Sequence, residues 1–122
     1  MKKLEYTINC LDGVYCFVAD IADNVLFNIE SNIEKVQSKA GELDQEKSKL
    51  FIEEINKAEI AKWDKEYKAD ASEIEDGISW SIRFLDEYKE YVSQGQESYQ
   101  PYNYEHLVKA ILLCDQESEY LF

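Results

Sequence analysis

The chain has 122 residues, of which 45% are hydrophobic and 13% aromatic, enough apolar material for one folded domain over 1–122 and too little length for two cores. Its 13 lysines and arginines stand against 26 aspartates and glutamates, a net charge of −13. Nucleic acids and anionic membranes require basic surfaces, so this balance excludes them as favoured partners; it favours basic proteins, or serves solubility alone.

The first predicted element is a β-hairpin over 4–21 that turns at Asp12-Gly13, a dipeptide suited to a two-residue type I′ turn. With that turn, one face of the hairpin is apolar throughout, which supports the pairing. The same pairing places Cys10 and Cys16 on opposite faces, where they do not form a disulfide. The predicted pairs on the apolar face are Cys10 with Tyr15, Ile8 with Phe17, Tyr6 with Ala19 and Leu4 with Ile21.

A third strand is predicted after a three-residue loop over 22–24. This loop length places the apolar residues that alternate from Val25 to Ile29 on the face already formed by the hairpin. We expect the strand to continue to about Val36 and the chain to break its regular structure at 38–41.

A helix is predicted from Asp44, a good N-cap before an acidic first turn, to about Lys62. Apolar residues recur at helical spacing and predict a stripe that covers the sheet. Trp63 and Tyr67 follow, where large amphipathic rings seal the edge of a core. The stripe consists of Leu50, Phe51, Ile55 and Ala58.

The second half of the chain begins with a polar loop over 68–77, and the alternation from Ile78 to Phe84 then predicts a half-buried strand. A turn at Asp86-Glu87 leads to a strand over about 88–93. A last helix follows Pro101 and carries an apolar face. The face comprises Tyr104, Leu107, Val108, Ile111 and Leu112.

The predicted order is βββαββα. It indicates an α+β fold in which an antiparallel sheet of about five strands carries two helices packed on one face.

Features that report on location indicate a cytoplasmic protein. Polar Glu5 and Thr7 interrupt the first apolar stretch, so this stretch is not predicted to be a signal peptide. No apolar run approaches the roughly 20 residues that a membrane helix needs. Cys10, Cys16 and Cys114 are odd in number and lack Cys-x-x-Cys spacing, which predicts buried, reduced thiols.

The sequence offers little for catalysis. Its one histidine, His106, falls in the first turn of the last predicted helix, where a structural or surface role is expected. No nucleophile motif, phosphate-binding glycine loop or metal-ligand spacing is present, so we expect no enzyme, no cofactor and no metal. A carboxylate pair such as Glu73 and Asp76 near Trp80 is the remaining candidate for an acid–base site, and accidental proximity explains it better in so acidic a chain.

The carboxylates do predict a binding surface, because they recur in two neighbouring loops with tyrosines interspersed. Aromatic anchors surrounded by charges of one sign suit a desolvated protein contact. The alternative is that these tyrosines only cover sheet edges and helix ends. The predicted partner-binding residues are Glu73, Glu75, Asp76, Asp86, Glu87, Glu90, Tyr88 and Tyr91.

An ordered set of short motifs spans about the second half of the chain: Trp63-x-x-x-Tyr67, Asp76-Gly77-x-x-Trp80-x-Ile82, Ser93-x-Gly95 and Tyr99-x-Pro101-x-Asn103-Tyr104-x-x-Leu107. The set resembles small bacterial immunity proteins, which neutralise contact-dependent or other secreted toxins and protect the producing cell. Gln100, between Tyr99 and Pro101, departs from the adjacent Tyr-Pro that the resemblance implies.

The resemblance implies a non-enzymatic inhibitor that binds a cognate toxin domain, often a basic nuclease, and occludes its active site. The acidic charge independently suits such a partner, because a nuclease site must hold phosphate. Two other classes remain open: an acidic cytoplasmic chaperone of a secreted effector, and a carboxylate-dependent enzyme, which requires a cleft holding two carboxylates with raised pKa values. The sequence predicts no oligomeric state.

Overall fold

The computed structural model describes residues 2–33, 35–67, 77–96 and 99–116. These residues form a seven-stranded sheet and two α-helices, so the predicted α+β class with two helices is confirmed. No described helix is long and apolar enough to cross a membrane. The strands are β1 Lys2–Cys10, β2 Gly13–Ile21, β3 Val25–Ser31, β4 Gln37–Glu42, β5 Glu66–Tyr67, β6 Ser79–Asp86 and β7 Lys89–Gln96; the helices are α1 Gln45–Ala58 and α2 Tyr104–Cys114.

The spatial order of the strands is β4-β3-β2-β1-β6-β7-β5. Neighbours are antiparallel except β5 and β7, which are parallel. The prediction of about five wholly antiparallel strands is therefore wrong by two strands and one pairing. Both missed strands lie at the edges of the sheet: β4 is almost entirely exposed and shows no apolar alternation, and β5 has only two residues.

The first hairpin turns at Leu11-Asp12, not at Asp12-Gly13, so Ile8 pairs with Tyr15 and the predicted register is wrong by two residues. The buried face is unchanged, because a two-residue shift preserves the alternation of faces. Asn32 explains the difference. Its Oδ1 accepts from the N–H of Val14 at 2.7 Å, and a Cβ on Gly13, which has φ 153°, would lie 2.4 Å from that oxygen.

The β2–β3 loop has the predicted three residues, since Ile21 pairs with Val25. The third strand, however, ends at Ser31 rather than near Val36, and the predicted break at 38–41 lies inside β4. Hydrogen bonding to β3 makes this polar stretch extended, a tertiary effect that the local pattern does not reveal.

Helix α1 begins as predicted, with the Asp44 side chain accepting from the N–H of Lys47 at 2.8 Å. It ends at Ala58 instead of Lys62, because Glu59 adopts a left-handed conformation (φ 51°) and a short 3-10 turn follows. Leu50, predicted to be buried, is 45% exposed. Ser48 is buried instead, and its hydroxyl donates to the carbonyl of Leu43 and accepts from the N–H of Val25, which joins α1 to β3.

The elements of the second half follow the prediction closely. Trp80, Ile82 and Phe84 of β6 are buried, while Ile78 is half-buried. The next turn is Glu87-Tyr88, one residue later than predicted, and β7 extends to Gln96. In α2 the predicted apolar face is buried except for Leu112, which is half-buried. The predicted loop over 68–77 lies outside the described residues except for Gly77.

Both helices pack on one face of the sheet. Phe51 of α1 contacts Phe17 of β2, with ring centroids 6.3 Å apart, and Tyr104 of α2 lies 5.2 Å from Trp80 of β6. The opposite face of the sheet has no covering element among the described residues.

The three cysteines are free, and Cys10 and Cys16 point to opposite faces as predicted. Only Cys114 is fully buried, with burial raising the pKa of its thiol to about 12. The other two are half-buried, contrary to the prediction.

Candidate functional site

Part of the predicted partner-binding set can be located in the structure. Glu73, Glu75 and Asp76 lie outside the described residues. The remaining five belong to the β6–β7 hairpin and are close together because they are nearly contiguous: Asp86, Glu87, Tyr88, Glu90 and Tyr91.

The hairpin distributes these five residues over two faces of the sheet. Glu90 points to the uncovered side and binds Arg83 (Oε1 to Nε, 2.7 Å), whereas Asp86 lies 3.7 Å from the Lys2 ammonium on the helix side. Glu87 and Tyr88 form the turn, and Tyr88 is 98% exposed. The three predicted carboxylates that the structure describes, Asp86, Glu87 and Glu90, therefore do not form one patch.

Tyr91, the last of the five, is half-buried on the helix side of the sheet. Its ring stacks on Phe84, with centroids 6.4 Å apart, and the Lys89 ammonium lies 5.3 Å from its centroid. The Tyr91 ring therefore packs against the core and remains partly exposed to solvent.

The motifs that carry the family resemblance converge in space. Trp63, Tyr67 and Tyr104 all pack around Trp80, with ring centroids 6.0, 5.9 and 5.2 Å from it. The Trp80 indole N–H faces the carbonyls of Gln96 and Tyr99 at 3.2 and 3.3 Å. These residues form one aromatic cluster under β6, β7 and the start of α2.

Smaller motif residues hold this aromatic cluster in place. The Ser93 hydroxyl donates to the carbonyl of Asp64 at 2.6 Å, and the Asn103 amide oxygen accepts from the indole N–H of Trp63 at 3.0 Å. A Cβ on Gly95 would lie 2.5 Å from the Tyr67 carbonyl and 2.8 Å from the Trp80 ring, so only glycine fits there. The described motif residues thus build the scaffold and contribute little exposed surface.

The surface left open is the side of the sheet opposite the helices, which we call the uncovered face. Its side chains come from alternate residues of all seven strands and form rows that run across the sheet. Charged residues are abundant in these rows. They comprise the carboxylates Glu5, Asp20, Glu30, Glu42, Glu66 and Glu90 and the cations Lys3 and Arg83.

The two cations are already engaged on this face. Glu5 lies 4.0 Å from Lys3 and 3.7 Å from Arg83, and Arg83 also binds Glu90. Among the described residues, no cation lies within ion-pair distance of Asp20 or Glu30. The uncovered face therefore keeps a clear excess of negative charge.

The helices present a different balance. Each contains as many lysines as acidic residues, with three of each in α1 and one of each in α2. The negative charge of the described residues is consequently gathered on the sheet side of the molecule. Acidic residues that lie outside the described ranges are Glu34, Asp70, Glu73, Glu75, Asp76, Glu97, Glu117 and Glu119.

Exposed apolar side chains stand among the carboxylates of the uncovered face. Val14, Leu26, Leu85 and Val92 are each at least 39% exposed. Shallow grooves separate them: one of about 430 Å³ lies beside Cys16 and Val14, and another of about 500 Å³ runs beside Val92 at the edge of β7. Apolar anchors within a charged surround are the usual composition of a protein-binding surface.

His106 lies between the helices, on the opposite side of the molecule. Its Nδ1 is 2.7 Å from the Glu54 carboxylate of α1. Burial would raise the pKa of Glu54, but the His106 hydrogen bond and the charges of Lys57 and Lys109 hold that pKa below its usual value. Glu54 is therefore a charged structural link between α1 and α2.

The described ranges contain no group of three or more side chains arranged to bind a metal ion. In comparisons with known proteins, the sequence matches no protein-family model and no curated protein gives a significant match.

Proposed function

We propose that this chain is an immunity protein, a cytoplasmic inhibitor that binds a cognate bacterial toxin domain and occludes its active site. The toxin we propose is basic, and a nuclease fits best. The observation that carries the proposal is the excess of carboxylates over cations on the uncovered face, together with its exposed apolar residues, while the helices stay balanced in charge.

Electrostatic complementarity supports a nuclease as the partner. A nuclease site is electropositive because it must hold the phosphates of its substrate. A face of carboxylates presents an array of negative charge similar to that of those phosphates. Long-range attraction of this kind raises association rates by about ten- to a thousand-fold at low salt. Rapid capture suits an inhibitor that must act before the toxin does.

The mixed composition of the face supports a protein rather than a small cation as the partner. Typical stable interfaces bury about 800 Å² on each side, around a core of apolar anchors. Val14, Leu26 and Val92 offer such anchors on three different strands. Each of these residues lies on a strand that is hydrogen-bonded to a neighbouring strand, so little ordering is needed when the partner binds.

The sequence-predicted residues of the β6–β7 hairpin border this face and remain part of the proposed contact. Glu90 lies on it, and Glu87 and Tyr88 extend beyond its end at the turn. Asp86 and Tyr91 lie on the helix side and are expected to contribute only where the partner reaches around the strand edge.

The proposal predicts rapid, salt-sensitive binding to the toxin domain encoded beside the gene of this chain. Co-expression of the two should restore growth that the toxin domain alone prevents. In stopped-flow mixing, the association rate constant should fall at least about tenfold as ionic strength rises from about 0.05 to 0.5 M, because the Debye length shortens about threefold. An uncharged cosolute at matched osmolality is the control. A rate that ignores salt, or a neighbouring gene with no toxic product, would contradict the proposal.

A further inference from the structure

The outer edge of β7 is only partly paired. Strand β5 contacts it at Gln94 and Gly95 alone. The stretch from Lys89 to Val92 has β6 on one side and, among the described residues, no strand on the other. An unpaired strand edge is a template on which another extended chain can add.

The direction of the backbone groups on this edge follows from one hydrogen bond. The N–H of Gln94 points away from β6, because it donates to the carbonyl of Lys65 at 3.0 Å. Backbone groups alternate in direction along a strand, so those of Val92 and Glu90 point outward as well. Those of Tyr91 and Ser93 point to β6, where they face Phe84 and Ile82.

A groove runs along this edge and continues the line of β5. It has a volume of about 500 Å³ and is lined by Lys65, Glu66, Glu90, Val92 and Gln94. Val92, which is 50% exposed, lies between the carboxylates of Glu66 and Glu90. Arg83 is shared by Glu90 and Glu5, so these two carboxylates face one shared arginine and keep a net negative charge.

We propose that an extended segment of the partner protein docks here by adding a strand to the edge of β7. The partner is the basic toxin of the proposed function, and the inference rests on that function for its identity. On the uncovered side, the added strand would place its basic residues beside Glu90 and over Val92, which the aliphatic part of a lysine side chain can cover. On the other side, its apolar residues would reach the half-buried ring of Tyr91.

The opposite edge of the sheet, on β4, is the natural comparison. The N–H of Leu43 donates to the carbonyl of Val25, so by the same alternation Ser38, Ala40 and Glu42 carry the outward groups of β4. This edge presents no aromatic ring, and Ala40 is the exposed apolar residue within β4, while the exposed Val36 lies just before the strand. A second copy of this chain is disfavoured at either edge, because two copies each carry a net charge of −13.

Hydrogen exchange of single amides tests the proposal with a probe that does not require the toxin. The probe is a hexapeptide of alternating lysine and valine, blocked at both ends; its control has three lysines followed by three valines. In the free chain, the amides of Glu90 and Val92 should exchange quickly and those of Tyr91 and Ser93 slowly. Saturating alternating peptide should slow Glu90 and Val92 roughly tenfold or more, because their N–H groups gain acceptors. The control peptide should leave them unchanged.

Matched proline variants give a second test. Val92→Pro removes a backbone N–H that points outward, so the hydrogen bonds between β6 and β7 are preserved. The added strand loses this donor and clashes with the pyrrolidine ring of the proline. The Kd of the alternating peptide should rise at least about tenfold, the ratio expected for one lost backbone bond and a clash. Ala40→Pro makes the same change on the β4 edge and should leave the Kd within about twofold. Unchanged amide spectra of β1 and β6 report that each variant is folded.

If Val92→Pro does not keep the β6 ladder intact, Val92→Lys serves instead. It retains the backbone donor and places a cation where the peptide is basic, so the Kd should still rise severalfold.

Three outcomes would overturn strand addition at β7. The first is protection of β4 amides in place of β7 amides, and the second is equal binding of both peptides. The third is protection of the Glu90 and Val92 amides that depends on protein concentration without peptide, because it would assign the edge to a second copy of the chain. None of these results bears on toxin neutralisation, which the growth assay measures separately.

Discussion

The two faces of the sheet are built from alternating residues of the same strands, yet they differ in nearly every physical property. On the helix side, β6 contributes Trp80, Ile82 and Phe84 to the core. On the uncovered side, the same strand contributes Ser81 and Arg83, which lie among carboxylates and shallow grooves. Alternation thus allows one strand to carry fold stability and partner recognition independently, since a change on one face hardly touches the other.

The comparison also explains what the family resemblance rests on. Its residues Trp63, Tyr67, Trp80 and Tyr104 pack together on the helix side. Residues packed in this way stabilise the fold, whereas the surface that we propose for partner binding lies on the other face. The proposed toxin partner must therefore be tested through the uncovered face.

The largest expected effect separates neighbouring residues of one strand. Trp80→Ala should lower the free energy of unfolding by about 3 to 5 kcal/mol, because it leaves a cavity at the centre of the aromatic cluster. Ser81→Ala, on the uncovered face, should change it by no more than about 0.5 kcal/mol. Urea unfolding followed by circular dichroism measures both. Similar losses for the two variants would contradict the division between the faces.

A smaller effect is expected at the glycine that the aromatic cluster surrounds. Gly95→Ala should cost about 1 to 3 kcal/mol, because the new methyl group would overlap the Tyr67 carbonyl and the Trp80 ring. Gly77→Ala is the matched control: a Cβ there meets no atom of the described residues within 4 Å, so stability should stay level or rise slightly. Thermal unfolding distinguishes the two, and equal midpoints would show that the close approach at Gly95 does not matter.

The smallest stability effect concerns the link between the helices, and it depends on pH. Because the pKa of Glu54 is lowered in the folded chain, its carboxylate contributes stability above its unfolded pKa and loses that contribution as pH falls through its folded pKa. Glu54→Gln should cost about 1 kcal/mol near pH 6, and the cost should decrease as pH falls through the folded pKa. Urea unfolding over a series of pH values measures this difference, and a cost that does not decrease with pH would contradict the ionic link.

The faces of the sheet were predictable from the sequence where apolar residues alternate, as in β1, β2, β3 and β6. The α1 start was predictable too, because Asp44 caps it through a local hydrogen bond. The edge strands were not. Strand β4 has no buried face that leaves a pattern, and β5 depends on the bond from Gln94 to Lys65, which joins distant parts of the chain. The hairpin register likewise depends on Asn32, which contacts Val14 from outside the hairpin.

The candidate site shows the same limit. The sequence identified the acidic β6–β7 hairpin because its residues are contiguous. It could not predict that Arg83 lies between Glu5 and Glu90, since that depends on β6 pairing with β1. Alternation along β2 and β3 places Asp20 and Glu30 on the polar face, but neither residue has a local feature that marks it as part of an interface.

Paired charge reversals test the central claim most directly, by comparing the two sides of the molecule at equal total charge. Asp20→Lys with Glu30→Lys alters the uncovered face, and Glu46→Lys with Glu53→Lys makes the same change on the exposed side of α1. The measurement is the association rate constant with the toxin domain encoded beside the gene, at low ionic strength. We predict a fall of about tenfold or more for the first pair and less than about threefold for the second. Equal falls, or a larger fall for the α1 pair, would contradict the assignment of partner binding to the uncovered face.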